Sequence, residues 1–98
     1  MSKIDDYIAK RSAKDPNFGR LVEQESINLD VAVKVRDLRD ELGMSQREFA
    51  GLIGKPQSTV ARIESGSMNA STKLLSEIAQ ATHQQLRIQF IPKTKKFA

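Results

Sequence analysis

Residues 45–66 read SQREFAGLIGKPQSTVARIESG, and this stretch decides the fold. Ser45 and Glu48 have the spacing of a capping box. The serine hydroxyl accepts from the Glu48 amide, and the glutamate carboxylate accepts from the Ser45 amide. Phe49, Ala50 and Ile53 then recur at helical spacing, until Gly54-Lys55-Pro56 forces a tight turn. Val60 and Ile63 give a second short helix its inner face, and Gly66 stops it. The pattern predicts two short helices joined by a glycine turn. For the second to be presented outward, the first must pack closely against it, and Ala50 is small enough to allow that. The turn needs a residue free to take φ > 0, which Gly54 supplies.

The outer face of the second helix carries Gln57, Ser58, Thr59 and Arg62. All four can hydrogen-bond to base edges or phosphates. Gln suits the N6/N7 edge of adenine, and Arg suits O6/N7 of guanine. Read without their flanks, the same four residues are simply a solvated helix face, and the flanking pattern is what turns the reading toward DNA.

Working outward, the pattern resumes from Leu29, and Val31, Val35, Leu38 and Leu42, stepping by four, three and four, form an apolar stripe that predicts a preceding helix, ended at Gly43. Asn69 or Ser71 caps a following helix that buries Leu74, Leu75, Ile78 and Ala79. Residues 4–14 predict a short amphipathic helix with Ile4, Tyr7, Ile8 and Arg11 at helical spacing. Asp15-Pro16 opens another, with Phe18, Leu21 and Val22 as its apolar face and a break or bend at Ser26 to Asn28. The period changes at the far end. Leu86, Ile88 and Phe90 alternate with Arg87 and Gln89 before Pro92, which predicts a half-buried strand. A lone strand leaves its backbone groups unpaired, so pairing with a second copy or a partner protein is expected.

The bulk numbers agree with a small helical protein. The 98 residues form one domain, or one with an appendage, and a core of this size buries about 60–65% of the unfolded surface. That marginal stability favours a dimer. The chain has no cysteine, which excludes disulfides and thiolate sites and fits a reducing compartment. No apolar run approaches the ~20 residues of a membrane span, and MSKIDDYIAK has no apolar signal region, so a cytoplasmic location without membrane attachment is expected. Net charge is +4, unevenly placed. Residues 1–30 carry five basic and six acidic side chains, and residues 31–98 carry eleven and six, so the basic excess accompanies the two short helices. This suits a polyanionic partner, although a merely soluble basic protein has the same balance.

Gln46, Ala50, Gly54, Val60, Ile63, Glu64 and Gly66 fall on the pattern of the Cro/phage-repressor (Xre) helix-turn-helix domains, which the chain resembles over roughly Val31 to Thr82. The resemblance implies double-stranded operator DNA as partner. It places Gln46 on a phosphate, Gln57, Ser58 and Arg62 on bases, Thr59 on bases or backbone, and Lys55, Ser67 and Asn69 near phosphates. It also places Arg39 and Glu64 where many family members keep a buried ion pair between the first and third helices. Two residues depart from the pattern. Lys55 stands where the family usually has an aliphatic residue, and Pro56 precedes the recognition helix, so the turn is expected to differ in shape. The ends look like HigA-type antitoxins: Asp-Pro-Asn-Phe at 15–18, a helix leading into the domain, and the Leu-Arg-Ile-Gln-Phe strand. Such proteins typically neutralise a small basic RelE-like or HigB-like ribonuclease toxin and repress their own operon.

The expected architecture is all-α: a phage-repressor-like domain of five or six helices with an N-terminal helical extension and one C-terminal β-strand. Residues 1–28 form the helical segment that would contact the toxin, through Ile4, Tyr7, Ile8, Phe18, Leu21 and Val22, unless these pack on their own domain. Residues 29–83 form the DNA-binding domain. Residues 84–98 hold the strand and a basic tail of Lys93, Lys95 and Lys96, with Leu86, Ile88 and Phe90 as a homodimer seam. No metal site, cofactor, small-molecule substrate or catalytic activity is expected. His83 is the only histidine, and nothing resembles a nucleophile–base pair, a phosphate loop or paired catalytic carboxylates. Two alternatives remain: a stand-alone phage-type repressor without a toxin, and a protein-interaction module on the same fold.

Overall fold

The computed structural model describes residues 16–93, and the helix expected over residues 4–14 lies outside them. Four helices follow one another: α1 (Pro16–Glu41), α2 (Gln46–Ile53), α3 (Gln57–Glu64) and α4 (Thr72–Ala81). Among the described residues there are four helices and no strand, so the expected five or six helices with a C-terminal strand are corrected.

Helix α1 runs 26 residues, about 39 Å, straight through the break expected at Ser26 to Asn28. Ser and Asn favour breaks because their side chains compete for nearby backbone groups. Asn28 does otherwise here. It is buried, its Nδ2 donates to Asn69 Oδ1 at 2.6 Å, and its Oδ1 accepts from Gln24 Nε2 at 2.9 Å. With the side chain satisfied elsewhere, the helix continues.

The core is built from Val35 of α1, Phe49, Ala50 and Ile53 of α2, Val60 and Ile63 of α3, and Leu74 and Ile78 of α4. Of the α1 stripe, Val35 is buried, Val31 and Leu38 pack half-buried against the core, and Leu42 is exposed. Leu75 is likewise half-buried rather than buried. Helices α2 and α4 begin under serine caps, Ser45 Oγ accepting from the Glu48 amide at 3.1 Å and Ser71 Oγ from the Leu74 amide at 3.0 Å. Glu48 completes the capping box by accepting from the Ser45 amide at 2.9 Å.

All four helices stop in the same way. The residue after the last turn adopts a left-handed conformation and donates three residues back, while the next amide donates five residues back. Gly43, Gly54 and Gly66 hold that position in the first three helices, and His83 holds it in α4 at φ 59°.

Beyond His83 the described chain has no regular secondary structure and no ladder hydrogen bonds. Leu86, Ile88 and Phe90 are all exposed, Phe90 fully. An alternating sequence makes a strand only when another strand takes its backbone groups. None of the described residues offers one, and that is why the strand expected here is absent. An open groove of about 1020 Å³ separates this segment from α1, lined by Ile27, Val31, Leu38, Leu75, Leu86 and Ile88.

Candidate nucleic-acid interface

Helix α3 is fixed from its inner side. Val60 and Ile63 are essentially inaccessible, Ala50 allows α2 to come close, and Gly54 at φ 70° turns the chain between the two helices. Pro56 precedes the first helical turn in an extended conformation (φ −63°, ψ 149°), where its missing N–H costs the helix nothing. The Lys55 amide donates to the Ala50 carbonyl at 3.0 Å, so the turn closes as an ordinary helix end despite the two departures from the family pattern.

The outer side of α3 is left open. Gln57, Ser58 and Arg62 are exposed and Thr59 is half-buried. Ser58 and Arg62 stand one turn apart on one face. These side chains can donate and accept in a groove without disturbing the packing that holds the helix.

At its far end α3 is tied to α1 by Glu64, whose side chain is 1% exposed. Arg39 donates to it twice, Nε to Oε2 at 2.7 Å and Nη2 to Oε1 at 2.9 Å, and its Nη1 donates to the Met44 carbonyl at 2.9 Å. Gln46 Nε2 donates to Oε1 at 3.1 Å, and Arg36 Nε lies 3.9 Å from the same oxygen. Burial alone pushes the Glu64 carboxyl up. The hydrogen bonds from Arg39 and Gln46 and the charges of Arg39 and Arg36 outweigh that and hold it below its ordinary value. Arg39 is pushed up, chiefly by its bonds to Glu64. The pair is therefore ionised throughout the neutral range and bolts α3 to α1.

The remaining candidates surround α3. Gln46 is half-buried at the start of α2, and its amide is engaged by Glu64. Lys55 Nζ pairs with Glu77 of α4 at 2.9 Å. Ser67 is exposed just past α3, its hydroxyl 2.9 Å from Ser65 Oγ and 3.3 Å from the Arg62 carbonyl. Asn69 is exposed and anchored on Asn28. The fold thus gathers Gln46, Lys55, Gln57, Ser58, Thr59, Arg62, Ser67 and Asn69 onto or beside α3. Leu21 is 63% exposed on the first turns of α1, and Val22 beside it is half-buried. Ile4, Tyr7, Ile8 and the side chain of Phe18 lie outside the described part. Leu86, Ile88 and Phe90 are remote in sequence from α3 and open to solvent.

Three residues support the site in ways the sequence did not indicate, Asn28 among them as an expected break. Arg36 stands one turn before Arg39, a spacing that carries a second cation to the same carboxylate. Asn28 falls four residues before Ala32 and seven before Val35, on the inner face of α1, so its position was the signal and its polarity concealed it. Glu77 meets Lys55 across 22 residues, and no local pattern announces that contact.

Among the described residues no three His, Cys, Asp or Glu side chains are grouped to hold a metal ion, and no helix is long and apolar enough to cross a membrane. The packed two-helix unit with an open polar face on its second helix defines a helix-turn-helix protein. A helix-turn-helix family model matches residues 35–87, more than half of the chain. The chain belongs to this family, the Xre/Cro type of DNA-binding transcription regulators. No curated protein and no solved structure matches it.

Proposed function

We propose that this protein is a cytoplasmic, operator-binding antitoxin that represses its own operon as a homodimer and neutralises a small basic RelE-like or HigB-like ribonuclease. The observation that carries the DNA-binding half is the open face of α3: Gln57, Ser58 and Arg62 point outward from a helix immobilised by Val60, Ile63 and the Glu64–Arg39 pair. Phosphate contacts from the surrounding residues position the domain, and the base contacts choose the sequence. Two copies would place their recognition helices in successive major grooves about 34 Å apart, matching a palindrome. The exposed Leu86, Ile88 and Phe90, with unpaired backbone beside them, favour the C-terminal segment as the seam. The protein binds rather than catalyses and needs no cofactor.

The antitoxin half is supported by the length of α1, whose first turns extend beyond the DNA-binding unit with Leu21 exposed. Co-expression with any small basic protein encoded beside it tests this half. A stable complex that Leu21→Asp weakens while operator binding persists supports it. No complex with the full-length chain favours a stand-alone repressor. For the operator half, hydroxyl-radical footprinting of the DNA upstream of the coding sequence should show two protected half-sites one helical turn apart, and a single protected site would contradict the dimer.

A further inference from the structure

Lys55 stands immediately before the recognition helix, where the proposed operator complex brings the DNA backbone close. No side chain caps the start of that helix, and its first turn holds no acidic residue. The ammonium of Lys55 is nevertheless occupied, because Glu77 of α4 holds it at 2.9 Å.

We propose that Glu77 is a built-in competitor of the DNA backbone, a carboxylate that holds Lys55 where a phosphate would take it and so sets the protein's affinity for DNA. The proposal rests on the DNA-binding reading above. A carboxylate and a phosphate diester each bring one negative charge to the same ammonium. In the free protein the pair is neutral, so Lys55 offers the duplex little net charge. For Lys55 to reach a phosphate it must leave Glu77 or share itself with it. Sharing sets the carboxylate beside the polyanion, and leaving forfeits the ion pair. Either way Glu77 weakens binding, and it does so for every sequence alike, because the backbone carries no base information. The hydrogen bond from Lys55, with the charges of Lys55 and Lys73, holds the Glu77 carboxyl below its ordinary value despite some desolvation, so it is ionised at neutral pH.

The test is a double-mutant cycle of Lys55→Met, Glu77→Gln and their combination. Each full-length protein is titrated by fluorescence anisotropy against its own upstream duplex and a scrambled duplex. Melting midpoints taken alongside show that all variants are folded, as expected for a half-buried pair at the surface, outside the core. Glu77→Gln should bind both duplexes about two- to fivefold more tightly, the range of one surface ion pair. Its dependence on salt should steepen by about one phosphate contact, so that the gain shrinks about threefold between roughly 50 and 200 mM salt. In the Lys55→Met background most of the gain should vanish. Unchanged or weaker binding by Glu77→Gln, in a wild type that does bind DNA, overturns this proposal alone. So does an equal gain without Lys55, which would make Glu77 a general repulsive charge. A folded wild type that binds neither duplex overturns the DNA-binding reading, and this proposal with it.

Discussion

Replacing Arg39 with alanine removes one hydrogen bond from each carboxylate oxygen of Glu64 in one step, leaving Oε2 with none and Oε1 with only the Gln46 amide at 3.1 Å. The next cation, Arg36, is 3.9 Å away and mostly in solvent, too far for a hydrogen bond. The carboxylate itself is buried, so water cannot replace what is lost. The Met44 carbonyl loses its donor as well. Breaking one side of a buried ion pair costs about 3–5 kcal/mol, a large part of the roughly 5–15 kcal/mol available to a domain of this size. Each kcal/mol lowers the melting midpoint of such a domain by about 4–8 °C. Arg39→Ala should therefore melt at least about 12 °C below the wild type by circular dichroism. Replacing both partners together, Arg39→Met with Glu64→Leu, should recover much of the loss, because no buried charge is then stranded. A single mutant within a few degrees of the wild type would refute the reasoning, since the pair would then contribute no more than a surface contact.

Acid should unfold the protein through the same site. The folded-state pKa of Glu64 is depressed, so its contribution is complete above the ordinary carboxylate value of 4.5 and is lost as pH falls through that value toward the lower folded-state one. Glu64→Gln should flatten the decline in urea-measured stability below about pH 4.5, and an identical decline in that variant would remove Glu64 from the account. His83 holds a left-handed conformation at φ 59° that glycine adopts freely, so His83→Gly should stabilise the protein by about 1 kcal/mol in urea denaturation; a loss would mean that the imidazole makes a contact of its own. Gly66→Ala places a Cβ 2.9 Å from Leu29 Cδ2 at φ +75°. The exposed Leu29 side chain can swing aside, so the cost is mainly backbone strain, about 1–2 kcal/mol, and a change below 0.5 kcal/mol would show that the helix end relaxes by another route.

The central unit was legible because its signals are local. A capping box spans four residues, and glycine termini follow the apolar periodicity of a single helix, so Ser45, Glu48, Gly54 and Gly66 announce themselves. Long-range facts were less accessible. Asn28 looks like a breaker until Asn69, 41 residues away, is seen to take its amide. Leu86, Ile88 and Phe90 have the alternation of a strand, but alternation records a preference that only a neighbouring strand can realise. Around α3 the sequence indicated which polar side chains lie on the outer face of the helix or beside it. It did not show that Gln46 and Lys55 are already engaged by Glu64 and Glu77, because those contacts depend on how α2, α3 and α4 pack.

The most direct test of the account is a comparison of wild type and Arg62→Ala binding to the upstream operator and to a scrambled duplex at fixed salt. Arg62 is exposed on α3 and supports none of the core, so its loss should leave the melting midpoint unchanged. It should weaken operator binding by roughly 1–3 kcal/mol and scrambled binding much less. Equal weakening on both duplexes would make Arg62 a backbone contact, and no weakening on either would contradict the claim that α3 reads the sequence.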